Sequence, residues 1–166
     1  DDAITAELGE GNLTAEVIDQ HEAVFLTPLY RAEVGCANNL LRLNQGNTPW
    51  GFIDVQKAIP WVEEQTKLTL SASQRAAIEL VLQHKVTVIT GGPGVGKTTL
   101  VNSILKILSA KQINIALCAP TGRAAKRLSE TTGLEAKTVH RLLEFDPSIF
   151  TFKHNEEFPL ELDCLV

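Results

Sequence analysis

Eight consecutive residues, Gly91-Gly92-Pro93-Gly94-Val95-Gly96-Lys97-Thr98, combine four glycines with a cation and a hydroxyl. Glycine lets a backbone curl until successive N–H groups point inward, and its missing side chain lets an anion come close. The spacing G-x-x-x-x-G-K-T is one that cradles a phosphate chain, provided a strand precedes it and a helix follows. Val86-Thr87-Val88-Ile89-Thr90 ahead of it reads as a strand, and the stretch 98–110 behind it as a helix. That helix brings the positive end of its dipole to the loop. In this setting Lys97 is expected to reach the β and γ phosphates of a nucleotide, and the Thr98 hydroxyl to hold Mg²⁺. The remaining nucleotide contacts fall to Gly91, Gly92, Pro93, Gly94, Val95, Gly96 and Thr99. A guanine-reading N-K-x-D segment and an arginine-rich lid are both missing from the 166 residues, which argues against a GTP switch or a small-molecule kinase.

The formal net charge of −5 speaks against a nucleic-acid partner until it is divided along the chain. Residues 1–70 hold eleven acids and four bases, a balance of −7, whereas residues 71–166 hold nine acids and eleven bases, a balance of +2. From Lys97 to Arg141 eight bases meet only two acids, Glu130 and Glu135, for +6. Within that stretch Pro120-Thr121-Gly122-Arg123 directly follows a second expected strand, 113–118. Ligands of open parallel sheets bind beyond the carboxyl ends of the strands. A Pro-Thr-Gly turn there offers a hydroxyl and a helix N-terminus suited to backbone phosphates. Taken alone, Arg123, Lys126 and Arg127 would be an ordinary solvated helix face.

The elements that must position these groups follow from apolar periodicity. Helices are expected at 28–43, with Thr27 as N-cap and Pro28 in the first turn, and around 53–67, restarted at Pro60. A further helix opens at Ser71-Ala72-Ser73-Gln74, where Ser71 and Gln74 stand at capping-box spacing. Shorter helices are expected at 122–131 and 138–144, a loop or hairpin at 146–160, and a buried strand at 162–166. Residues 13–18 read as a short helix. Strands alternating with helices imply an α/β fold with a parallel sheet and flanking helices. The expected division is a mainly helical region, 1–69, followed by the sheet-containing domain, 70–166. Cys36, Cys118 and Cys164 lie far apart, fitting neither a disulfide framework nor a zinc site and pointing to a reducing, cytoplasmic setting. The acidic Asp1-Asp2 start does not suit a signal peptide, and no apolar run is long enough for a membrane helix. The chain has no methionine, and both ends read as cuts through a longer protein.

Four segments in this order, Leu70–Gln74, Gly91–Thr98, Ala119–Leu128 and Lys137-Thr138-Val139-His140-Arg141-Leu142-Leu143, resemble the superfamily 1 DNA helicases, and within them the RecD-like family (exodeoxyribonuclease V alpha-chain relatives). The resemblance implies a P-loop NTPase (RecA-like) motor domain that uses ATP and Mg²⁺ to move along single-stranded DNA and unwind duplexes. It assigns Gln74 to a bidentate contact with adenine, and Pro120, Thr121, Gly122 and Arg123 to single-stranded DNA. Thr138 and His140 resemble a further motif on the DNA path. Val95 departs from the family's usual threonine, at little cost where backbone amides do most of the cradling. Residues 162–166 resemble the strand leading to an Asp-Glu pair that positions Mg²⁺, so that pair is expected just after Val166. The 166-residue chain is therefore expected to be a monomer that binds ATP or ADP without turning it over. The helicase domain of a conjugative relaxase, or a non-catalytic nucleotide-binding subunit of a recombination complex, would carry similar motifs.

Overall fold

The computed structural model describes residues 2–166, which divide into two compact units, one running to Gly46 and the other Asn47–Val166. In the first unit, helix α1 (Asp2–Gly9) is followed by strands β1 (Leu13–Ile18) and β2 (His21–Leu26) and then helix α2 (Thr27–Leu43). The helix expected at 13–18 is instead an antiparallel hairpin, with Leu13 opposite Leu26 and Ile18 opposite His21. Its two-residue turn, Asp19-Gln20, has φ of 48° and 66°. Two consecutive left-handed residues match the right-handed twist of the flanking strands. The turn lacks the glycine or asparagine that normally signals it, so the sequence concealed the hairpin. Thr27 does not cap α2 either. Leu26 occupies the N-cap position without a side-chain bond, and the Thr27 hydroxyl lies 2.8 Å from that of Thr14 on β1.

In the second unit, α3 (Val55–Thr66), α4 (Ala72–Gln83) and α5 (Lys97–Ala110) converge on one core. Ile59 and Val62 of α3, Ile78 and Leu82 of α4, and Leu100, Ile104, Ile107 and Leu108 of α5 supply most of it. Asp54 caps α3 through a bond accepted from the Gln56 N–H, and the helix runs unbroken through Pro60. Residues 47–69, expected in the N-terminal region, thus share a core with the phosphate-loop helix. The Trp50 indole adds to this by donating to the Leu82 carbonyl at 3.0 Å. Between α3 and α4 the Glu63 carboxylate accepts from both the Leu70 N–H (2.7 Å) and the Arg75 guanidinium (2.8 and 2.9 Å). Arg75 also donates to the Leu70 carbonyl, so the start of α4 is fastened from two sides.

Beyond α5 come β3 (Ile115–Ala119), α6 (Gly122–Thr132), β4 (Ala136–Thr138), α7 (Val139–Leu142), the short pair β5 (Phe145–Asp146) and β6 (Thr151–Phe152), and β7 (Cys164–Leu165). The sheet is parallel with order β4-β3-β7. Val86–Thr90, expected as a strand, forms none. The sheet ends at β7, whose outer edge is unpaired and whose two residues line one cavity with Thr87 and Ile89, but among the described residues no backbone hydrogen bond joins the segment to that edge. Ile89 still packs against the core, while the Thr87 hydroxyl is buried without a partner among the described residues. Asn114 is not in β3 but holds the approach to β7, its backbone N–H donating to Asp163 and its amide to the Glu161 carbonyl. No helix among the described residues is long and apolar enough to cross a membrane.

Because α3 belongs to the core of the second unit, Ile59→Ala should destabilise that unit by about 2–5 kcal/mol. Urea unfolding followed through Trp50 and Trp61, both within 47–166, reads this directly. An unchanged midpoint would place α3 outside the core.

Candidate functional site

The phosphate-loop segment closes onto the first turn of α5. Gly96 is the N-cap of that helix, with φ of 80° and no side-chain cap. The N–H groups of the first helical turn have no acceptor within the helix, and Gly96 adds no side chain to satisfy them. A β-carbon at Gly96 would also stand 2.6 Å from the Gln74 amide nitrogen, so the backbone angle calls for glycine and any side chain there would displace the end of Gln74. The Lys97 ammonium folds back over the loop and donates to the carbonyls of Gly91 (2.6 Å) and Gly92. Those bonds place the cation over the mouth of the loop. Thr98, also in the first turn, is exposed to solvent.

Gln74 reaches this loop from a separate helix, 22 residues away in sequence. Its amide nitrogen donates to the Gly96 carbonyl at 3.4 Å, and its amide oxygen accepts from the Ser71 backbone N–H at 2.9 Å. The Ser71 hydroxyl accepts in return from the Gln74 N–H at 3.3 Å, completing the capping box of α4. Helix capping and proximity to the phosphate loop thus belong to one side-chain position.

Thr121 follows β3 and caps α6, its hydroxyl accepting from the Ala124 N–H at 3.3 Å. Thr138 closes β4 and caps α7, accepting from the Arg141 N–H at 3.2 Å. Ala119 and Thr138 are register partners of the parallel pair, so the segments 120–123 and 138–140 leave the same edge of the sheet. Pro120, Thr121, Gly122 and Arg123 are all exposed there. Helix α6 is tied to α5 where Asn102 donates to the Thr131 carbonyl at 2.9 Å, a link that the sequence did not announce.

His140 is exposed but engaged: its ring meets Phe145 edge-on at 5.4 Å and lies 5.7 Å from Phe152. Phe145 also contacts Phe150 and Phe152, so an aromatic cluster sits on the β5–β6 hairpin. The spacing of phenylalanines at 145, 150 and 152 was its only sequence signal. At the base of the hairpin Lys153 donates to Glu144 at 2.7 Å, and this bond holds the Glu144 carboxyl below the ordinary glutamate range. Burial pushes the thiols of Cys118 and Cys164 up, away from the reactive thiolate. No group of three or more His, Cys, Asp or Glu suited to a metal occurs among the described residues. A Mg²⁺ carried by nucleotide phosphates needs few protein ligands and keeps several waters, so one exposed threonine hydroxyl fits that role.

Residues 74–166 match the family model described as an AAA domain. The chain is 34% identical over 146 residues to the ATP-dependent RecD2 DNA helicase of Deinococcus radiodurans, an alignment covering 84% of this chain and 19% of that protein. It is 39% identical over 117 residues to the RecBCD enzyme subunit RecD of Mycolicibacterium smegmatis, covering 56% of this chain and 21% of that one. Similarity to the ATP-dependent DNA helicase dda of Enterobacteria phage T4 is 38% over 96 residues, covering 54% and 21% respectively. The chain therefore spans about one fifth of the length of these relatives.

Two outcomes follow from the caps and the hairpin. Thr121→Ala should lower stability by about 1 kcal/mol in thermal melts while Thr121→Ser stays close to the parent, and equal melts for both would remove the cap. A lowered carboxyl pKa contributes stability above the free-glutamate value of about 4.3 and loses it as pH falls through the folded value. Acidification through that window should shift the Phe145 and Phe152 ring resonances together, and Glu144→Gln should reduce the pH dependence to what remains from Asp146, whose carboxyl the Ser148 hydrogen bonds also hold low.

Proposed function

The chain belongs to the AAA domain family and is RecD-like in sequence, and we propose that it is the nucleotide-binding part of an ATP-dependent DNA helicase. The supporting observation is the hydrogen bond between Gln74 and Gly96, which joins a candidate adenine-reading amide to the phosphate loop across 22 residues of sequence.

In this reading the backbone N–H groups of the loop and of the first turn of α5 surround the phosphates. Lys97 exchanges its bonds to the Gly91 and Gly92 carbonyls for the β and γ phosphate oxygens. Thr98 contributes its hydroxyl to Mg²⁺, which when bound neutralises phosphate charge. Gln74 offers a donor and an acceptor to adenine, the pairing that an amide side chain can make and a charged one cannot. Pro120–Arg123 and Thr138 hold the backbone of single-stranded DNA from the carboxyl ends of β3 and β4. Translocation and unwinding belong to the whole protein, of which these residues form a part. The relatives named as RecBCD subunits favour a second reading, in which the chain works inside a recombination complex.

Calorimetric titration of the 166-residue chain with MgATP tests the nucleotide site. Binding is expected, and Lys97→Ala should weaken it at least about tenfold, because a desolvated charge-assisted bond is worth roughly 1.5–3 kcal/mol. Equal affinities, or none in the parent, would overturn the proposal. For the DNA face, Arg123→Ala should weaken binding of a labelled oligonucleotide and flatten its salt dependence by about 0.7 for each phosphate left without its cation. An unchanged salt slope would remove Arg123 from the DNA path.

A further inference from the structure

An amide side chain reads a base only if its oxygen and nitrogen face the correct way round, and an unrestrained glutamine is free to turn over. Gln74 is not free. On one side stands the Ser71 backbone N–H, which can only donate, and it meets the amide oxygen at 2.9 Å. On the other stands the Gly96 carbonyl, which can only accept, and it meets the amide nitrogen at 3.4 Å. Turning the amide over would set donor against donor and acceptor against acceptor. The same two bonds leave unspent one oxygen lone pair and one N–H of the amide.

We infer that the Ser71 backbone N–H is a specificity-determining positioning group, fixing the Gln74 amide in the orientation that matches adenine and opposes guanine. The inference rests on the proposal that Gln74 contacts the base. Adenine presents an amino donor beside the N7 acceptor, whereas guanine presents two acceptors, O6 and N7, on that edge. A fixed oxygen meets the adenine amino group and repels guanine O6, while the remaining N–H meets N7 in either base. Selectivity for ATP over GTP is therefore set by the Ser71 backbone N–H together with Gln74, rather than by Gln74 alone. The capping box persists when the nucleotide binds, because the base uses only the two unspent valences.

Ser71 offers a clean dissection. Its φ of −65° is the value proline adopts. Ser71→Pro removes the backbone N–H together with the hydroxyl, and Ser71→Ala removes the hydroxyl alone. Titration of each variant of the chain with MgATP and MgGTP gives the ratio of dissociation constants. The parent and Ser71→Ala should share one ratio, and Ser71→Pro should reduce the preference for ATP by about tenfold, the worth of one neutral hydrogen bond at the upper end of its range. Equal ratios for the Pro and Ala variants would overturn the inference. Gln74→Ala, which removes the discriminating oxygen, serves as the reference for the underlying contact: a ratio unchanged in that variant would overturn base reading by Gln74, whereas a ratio lost there but kept in Ser71→Pro would overturn only the role of Ser71. Should Ser71→Pro fail to fold, the parent still decides the matter by NMR. The Gln74 side-chain amide resonances should shift with MgADP, and the Ser71 amide should stay protected from exchange in the complex. Loss of that protection on MgADP binding would contradict the inference.

Discussion

Helix α5 carries two opposed requirements. Its body must be fixed, and its first turn must be left polar and unsatisfied. Burial meets the first: Leu100, Ile104, Ile107 and Leu108 lie in the core against α3 and α4, with Leu108 fully excluded from solvent. Gly96 meets the second, since a glycine N-cap supplies no side chain to occupy the N–H groups that follow it. An anion-binding turn on a mobile helix would lose affinity to ordering entropy. Anchoring the helix along its length while leaving its end uncapped removes that cost, and the surrounding architecture can be understood from this division.

The same economy recurs at the other motif segments. Ser71, Thr121 and Thr138 each cap the helix they precede. Ser71 reads as a cap in the sequence, whereas the Thr121 and Thr138 hydroxyls look like DNA-binding groups, yet in the structure they too organise backbone. Thr121 and Thr138 stand past the ends of neighbouring parallel strands, which brings two sequence motifs to one sheet edge. The basic residues between Lys97 and Arg141 belong to these same elements, so the overall charge of −5 conceals a local surplus of the opposite sign.

Much of this was legible in advance, because periodicity and capping are local. Helix α4 and its capping box, α5, α6 and the strand-to-turn step at Pro120 followed from patterns within a dozen residues. What escaped depended on partners far away. Val86–Thr90 has the composition of a strand, but a strand exists only where a ladder of hydrogen bonds joins it to a neighbour, and none joins it to the unpaired edge of β7 among the described residues. The β1–β2 hairpin turns on Asp19-Gln20, a left-handed pair without the glycine that usually marks such a turn. Pro60 was expected to interrupt a helix that tertiary packing of Ile59 and Val62 carries straight through. The Glu63–Arg75 clamp, the Asn102 link and the aromatic cluster around His140 join residues whose proximity no sequence window displays. For the candidate site, the identities of the phosphate-loop residues were plain, whereas the engagement of Gln74 with both Ser71 and Gly96 needed coordinates.

The central claim is that the turn from Gly91 to Thr99 is a phosphate cradle built on a fixed helix. Amide hydrogen exchange of the chain, followed by mass spectrometry with and without MgATP, addresses both halves at once. Peptides covering 104–108 should be protected in either state, and those covering 91–99 should exchange quickly alone and slow sharply with the nucleotide. Exchange in 91–99 that is indifferent to saturating MgATP would contradict the cradle.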